Sequence, residues 1–217
     1  TIVILTHISP DGDAMGSSLA MRHFLEAQSK QVSVIVPNSF PDFLAWLPGA
    51  DQHIIYEHRQ AEADVLLEQA ELVICTDFND PKRIGSLGEK MLSLTCKKMM
   101  IDHHLFPADF PDLTISYPAC PSTCELVYRL ITRLSPMTDT RSPITEEIAT
   151  CIYTGMMTDT GNFSFNSNYA EMYQIVGDLV AAGVNKDAIY NRVFNAYSAD
   201  RMRLMGYCLY QKMKIYP

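Results

Sequence analysis

His7, Asp11 and Asp13 in HISPDGDAMGS, Asp77 in LVICTDFND, Asp102-His103-His104 in KKMMIDHHLF and Asp159 in GMMTDTGNF form one set of carboxylates and imidazoles. Three of these stretches open as apolar, β-rich runs and break into acids or imidazoles where the run ends. In an open parallel α/β sheet the carboxyl ends of the strands line the crevice that takes ligands, so side chains far apart in sequence are expected to converge there. Hard oxygen donors mixed with imidazole, with no thiolate among them, suit divalent ions of the Mn, Mg, Co or Fe type. The chemistry such a set predicts is hydrolysis assisted by a pair of metal ions.

Each segment alone carries less than the set. His7 and Asp11 flank the turn Ser9-Pro10-Asp11-Gly12, where Pro10 and Gly12 reverse the chain. Asp in such a turn is ordinarily an Asx-turn former, and Asp13 is suited to cap the helix that follows. Strands commonly end in an acid such as Asp77. The Asp102-His103-His104 triplet is more specific. Successive strand side chains point to opposite faces, so the spacing predicts different roles for the two histidines. Asp159 falls at a helix end, where a carboxylate costs about 0.3–1 kcal/mol that a bound cation would remove.

The elements that must position these groups alternate. TIVILTH, QVSVIVP, QHIIYE, LVICTDF, KKMMIDHH and DLTISYP read as strands, with FPDFLAWLP as a proline-bounded helix or turn. DAMGSSLAMRHFLEAQSK, AEADVLLEQA and SLGEKMLSL carry apolar residues at helical spacing between them. This order implies βαβ units and an α/β fold, a parallel sheet with helices on both faces. After about residue 120 the pattern turns helical throughout, with no clear strand among the segments from STCELVYRL to the Lys212 region. We expect one catalytic domain over 1–212, with 213–217 beginning a strand or linker.

Composition narrows the classes. The 217 residues are 47% apolar with a net charge of −8, globular values in which several acids belong to the proposed site. Lys97-Lys98 and Arg201/Arg203 are the nearest approach to a basic stripe, so no long nucleic acid is expected as a partner. No apolar run approaches the ~18 residues of a membrane span, so no membrane partner is expected. The six cysteines show no CxxC pair, and Cys75, Cys96 and Cys151 sit in apolar runs as buried thiols do. A reducing, cytoplasmic location is the expectation.

Together the segments resemble the DHH phosphoesterase family of the RecJ-like superfamily. His7-x-x-x-Asp11-x-Asp13, Asp77, Asp102-His103-His104 and Asp159 look like its four motifs in order, and the likeness extends to Ser122-Thr123-x-Glu125 and Asp159-Thr160-Gly161. HISPDGDAMGS is more similar to the oligoribonuclease and 3'-phosphoadenosine-5'-phosphate phosphatase subgroup than to the manganese pyrophosphatases, which carry Thr and Ser where this chain has Gly12 and Ala14. The resemblance implies two Mn²⁺ ions per chain, with Mg²⁺ or Co²⁺ as alternatives. One ion would take His7, Asp11 and Asp77, the other Asp13, Asp77, His103 and Asp159. It implies His104 as the group on the phosphate or leaving oxygen, Asp102 as the residue orienting an imidazole, and Asp77 as the bridge. It also implies that 213–217 are the start of a linker to a C-terminal substrate-binding domain absent from this chain.

The expected activity is hydrolysis of short oligoribonucleotides or a 3',5'-bisphosphorylated adenosine, with a homodimer left open. Pyrophosphate, polyphosphate and cyclic dinucleotides are alternative substrates, and a non-catalytic metal- or nucleotide-binding module is the competing class. A plain nucleotide-binding domain is disfavoured, because the first strand ends in HISPDGD and not in a glycine-rich loop. Ser122 and Glu125 read as a capping box, and Arg83 as a solvated loop residue. His23, His53 and His58 belong to no cluster.

Overall fold

A computed structural model describes residues 1–135 and 142–215. Compact packing divides the chain into two units, Thr1–Asn185 and Lys186–Pro217. Within the first, β1 (Ile2–Leu5), β2 (Val32–Val36), β3 (Ile54–Ile55), β4 (Leu72–Thr76), β5 (Lys97–Asp102) and β6 (Leu113–Ser116) form one sheet in the order β3-β2-β1-β4-β5-β6. All its pairings are parallel. The apolar runs account for this, since a strand covered on both faces must be hydrophobic on both. β4 is buried from Val73 to Thr76.

On one face, Val3, Leu5, Val73 and Cys75 join a core with Leu67 of α2 (Gln60–Glu68) and Leu87 and Met91 of α3 (Ser86–Ser93). The other face takes α1 (Gly12–Ala27), which lies against β1 and β4 and packs on α4 (Thr123–Leu134) and α5 (Glu146–Asp159). Here α1 and α5 come unusually close. A Cβ on Gly155 would stand 2.9 Å from Asp13 Oδ1 and collide with Cys124 Sγ. Glycine at this position lets the two helices that carry Asp13 and Asp159 approach each other. α6 (Ala170–Ala181) completes the first unit.

The second unit contains α7 (Lys186–Phe194) and α8 (Ala199–Tyr207), the latter continuing into a π-helical turn at Cys208–Lys212. Of the expected linker, 216 and 217 lie outside the described residues. FPDFLAWLP forms a short 3-10 turn at Asp42–Leu44, in keeping with its bounding prolines. Two local expectations change. Asp11, not Asp13, caps α1, its Oδ1 accepting from the backbone N–H of Asp13 at 3.0 Å and of Ala14 at 3.1 Å. Cys96 is only partly buried, although Cys75 and Cys151 are fully enclosed, and all six cysteines are free. Among the described residues no helix is long and apolar enough to cross a membrane.

Candidate metal centre

Three strand ends and two helices supply the candidate site. Sheet register sets Leu5 beside Cys75 and Thr76 beside Ile101. His7 therefore stands level with Asp77, each just past its strand, and Asp77 adjoins the end of β5. β1 and β4 are neighbours while β2 and β5 lie on their opposite sides. This is where the winding reverses, the place in a parallel sheet where a crevice opens between strand ends.

Asp77 sits at the centre. Its φ is 65°, in the left-handed region, which among side-chain-bearing residues Asn and Asp tolerate best. Its N–H donates to the Ile101 carbonyl at 3.0 Å, and its Oδ1 accepts the Thr123 hydroxyl at 2.9 Å. The two carboxylate oxygens then divide. Oδ2 lies 3.4 Å from His7 Nε2, whereas Oδ1 lies 3.6 Å from His103 Nε2 and 3.8 Å from His104 Nδ1.

Around these, Asp11 Oδ1 is 3.8 Å from His7 Nε2. Asp13 Oδ2 and Asp159 Oδ2 are 3.8 and 3.2 Å from His103 Nε2. Two donor groups result, His7-Asp11-Asp77 and Asp13-His103-Asp159, with a third formed by Asp77, His103 and His104. Within each, the donor atoms lie within 4.8 Å of one another. The structure thus brings together every sequence-predicted ligand.

Backbone carbonyls turn the imidazoles. His7 Nδ1 donates to the Ile8 carbonyl at 2.8 Å and His103 Nδ1 to the Cys120 carbonyl at 3.2 Å. A carbonyl only accepts, so Nδ1 carries the proton and Nε2 of each ring is left facing carboxylates. Metal-binding histidines are oriented in this way. Most of the Nε2-to-oxygen separations exceed an ordinary hydrogen bond. Lone pairs opposed across such gaps suit a cation between them.

The electrostatics agree. Burial, and then the negative charges of Asp77 and Asp159, push the Asp13 carboxyl well above its ordinary pKa. Burial and the charges of Asp77 and Asp11 raise Asp159 to about 7. Burial opposes a charged His7, yet its contacts with Asp11 and Asp77 lift its pKa to about 10. Each shift records negative charge short of a partner, which divalent ions would supply.

Asp13 is fully buried and takes two further bonds, from the N–H of Thr123 at 2.6 Å and of Cys124 at 2.8 Å. These are the first amides of α4, groups without an intrahelical acceptor, and the positive end of the helix favours the carboxylate. Sequence reasoning missed Thr123 because Ser122-Thr123-x-Glu125 reads as a capping box. Only half of that box forms. Ser122 Oγ accepts from the Glu125 N–H at 3.2 Å, but the Glu125 carboxylate binds Arg129 and Tyr169 instead of reaching back.

His104 is held differently from His103. Its Nδ1 lies 2.7 Å from Asp102 Oδ1, and its backbone N–H donates to Oδ2 of the same residue at 2.9 Å. Asp102 is fully buried. The bond to Asp102 raises the His104 pKa against the opposing effect of burial. The expectation of opposite faces does not hold. β5 ends at Asp102, so strand alternation no longer applies, and the two rings lie 4.6 Å apart with both histidines near Asp77.

The family model of the DHH family, N-terminal domain, matches residues 1–156. The chain belongs to the DHH family. It is 29% identical over 208 residues to the bifunctional oligoribonuclease and PAP phosphatase NrnA of Thermus thermophilus, a match covering 96% of this chain and 58% of that protein. It is 24% identical over 174 residues to the cyclic-di-AMP phosphodiesterase PdeA of Listeria monocytogenes, covering 76% of this chain and 26% of the relative. The crystal structure of an exopolyphosphatase-related protein from Bacteroides fragilis is similar at 51% identity and a TM-score of 0.95, covering 100% of this chain and 62% of that one. This DHH-family chain therefore spans less than two thirds of the length of these relatives.

Proposed function

We propose that the chain carries the catalytic centre of a metal-dependent phosphoesterase acting on short oligoribonucleotides or 3',5'-bisphosphorylated adenosine. The observation that carries this reading is the division of the Asp77 carboxylate between two donor groups at the strand ends. The match to a bifunctional oligoribonuclease and PAP phosphatase over 96% of the chain supports the substrate class.

His7, Asp11 and Asp77 would hold one Mn²⁺, and Asp13, Asp77, His103 and Asp159 the other. Such ions supply an activated water and positive charge beside the phosphoryl oxygens. The chain's own residues do the rest. Asp102 fixes the His104 ring through Nδ1, so the opposite edge of that ring meets the substrate. The bond to Asp102 raises the His104 pKa, which favours the protonated ring suited to hydrogen-bond the phosphate or to protonate the leaving oxygen. Thr123 and the α4 amides hold Asp77 and Asp13 in place.

A polyphosphate substrate has its own support in the exopolyphosphatase-related structure at 51% identity. Incubation with Mn²⁺ and, in parallel, a ribodinucleotide, 3',5'-bisphosphoadenosine, a cyclic dinucleotide and polyphosphate separates the readings. Release of mononucleotide or phosphate from the first two is expected. Turnover of polyphosphate alone would replace the nucleotide assignment, and turnover of none would overturn the enzyme reading.

A further inference from the structure

Arg83 lies in the 3-10 turn Pro81–Ile84, which follows Asp77 and is capped by Asp80, whose side chain accepts from the Lys82 N–H at 2.9 Å. The Arg83 carbonyl accepts from the Ile8 N–H at 2.9 Å. That bond ties this turn to the residue beside His7, so the backbone of Arg83 is fixed between two ligand-bearing loops. The side chain is half-buried, and its Nη1 is enclosed without any hydrogen-bond partner. Buried donors are almost always satisfied, and one that is not needs an explanation.

We propose that Arg83 is a phosphate-holding residue of this centre, its Nη1 donating to a non-bridging phosphoryl oxygen of the substrate. The inference rests on the phosphoesterase reading and adds a substrate contact supplied by the chain. A guanidinium is suited to the task because its planar fork matches two phosphate oxygens, which a lysine ammonium does not reproduce. The fixed backbone means little order must be gained on binding, and the missing partner of Nη1 is the substrate oxygen.

The test uses Arg83→Gln and Arg83→Lys in the Mn²⁺-loaded chain, with inorganic phosphate as the probe in calorimetry. Phosphate affinity should fall about 10–100-fold in Arg83→Gln, recover only partly in Arg83→Lys, and leave bound Mn²⁺ and Tm near the wild-type values. With a dinucleotide, KM should rise in both variants. Unchanged phosphate affinity would overturn the proposal, as would loss of Mn²⁺ from both variants or failure of the wild type to bind phosphate. Weakened phosphate binding in a protein that hydrolyses no nucleotide would uphold Arg83 and overturn the substrate reading alone.

Discussion

The Thr123 hydroxyl donates to Asp77 Oδ1 across 2.9 Å, and the same oxygen faces His103 Nε2 at 3.6 Å. A residue at the start of α4 thereby orients the carboxylate shared by both donor groups. Removing that hydroxyl while keeping the shape, with Thr123→Val, should weaken Mn²⁺ affinity or turnover about 10–100-fold, as loss of a ligand's hydrogen-bond partner does. Titration of Mn²⁺ into the variant measures it. Unaltered affinity together with unaltered turnover would show that Asp77 is positioned by its backbone alone.

Asp77→Asn should lose both ions. Asn tolerates the left-handed φ of 65°, so this change removes charge without adding backbone strain. Asp77→Ala would add about 1–2 kcal/mol of such strain and confuse the result. His7→Ala should weaken only the group it shares with Asp11. Elemental analysis after exchange into Mn²⁺ decides between these outcomes, and full occupancy in Asp77→Asn would end the bridging assignment.

His104→Ala should keep its metal and lose turnover. Loss of a positioned acid or donor costs about 10²–10⁴-fold in rate. Asp102→Asn should lose part of the same factor, because it frees the His104 ring. Activity in the wild type should decline as pH rises through the raised His104 pKa. A metal-free His104→Ala would reassign the residue to a ligand role.

The chelated protein should lose stability from pH 6 towards pH 10. Asp159 has a folded-state pKa of about 7 and Asp13 is raised as well, so the native state holds their protons more tightly than the unfolded chain. That contribution is complete below the unfolded carboxylate pKa and disappears as pH passes about 7. His7 adds stability that is complete below about 6.5 and fades through about 10. Metal binding requires the deprotonated donors, so the rise in Tm on adding Mn²⁺ should grow over the same range. Thermal scans with and without Mn²⁺ test both slopes, and a chelated Tm that climbs with pH would contradict the charge assignment.

Gly155→Ala should destabilise by about 1–3 kcal/mol through overpacking between α1, α4 and α5. At this chain length each kcal/mol corresponds to about 2–4 °C of Tm. Metal affinity should fall with it, since Asp13 is the atom group displaced. A Tm equal to wild type would mean that the helices can separate at no cost.

The amino-acid sequence determined the strands, their parallel arrangement and the identity of the acids and imidazoles at their ends. Apolar runs and period report burial within a single element, and that is enough to find where each strand stops at His7, Asp77 or Asp102. The pairings between elements were decided only by the tertiary structure. Cys124 binds Asp13 from 111 residues away and Thr123 binds Asp77 from 46, and no local period encodes either. The same holds for the exchange of roles between Asp11 and Asp13. Both acids suit a helix start, but Asp13 is drawn into the amides of α4 and Asp11 is left to cap α1. Both histidines of the triplet lie near Asp77 because β5 ends one residue before them, a boundary set by pairing with β6 at Asp102 and Ser116 and not by the apolar pattern. Arg83 followed the same logic: its type was visible in the chain, but the enclosure of its unpaired Nη1 exists only once the loops after β1 and β4 have been brought together.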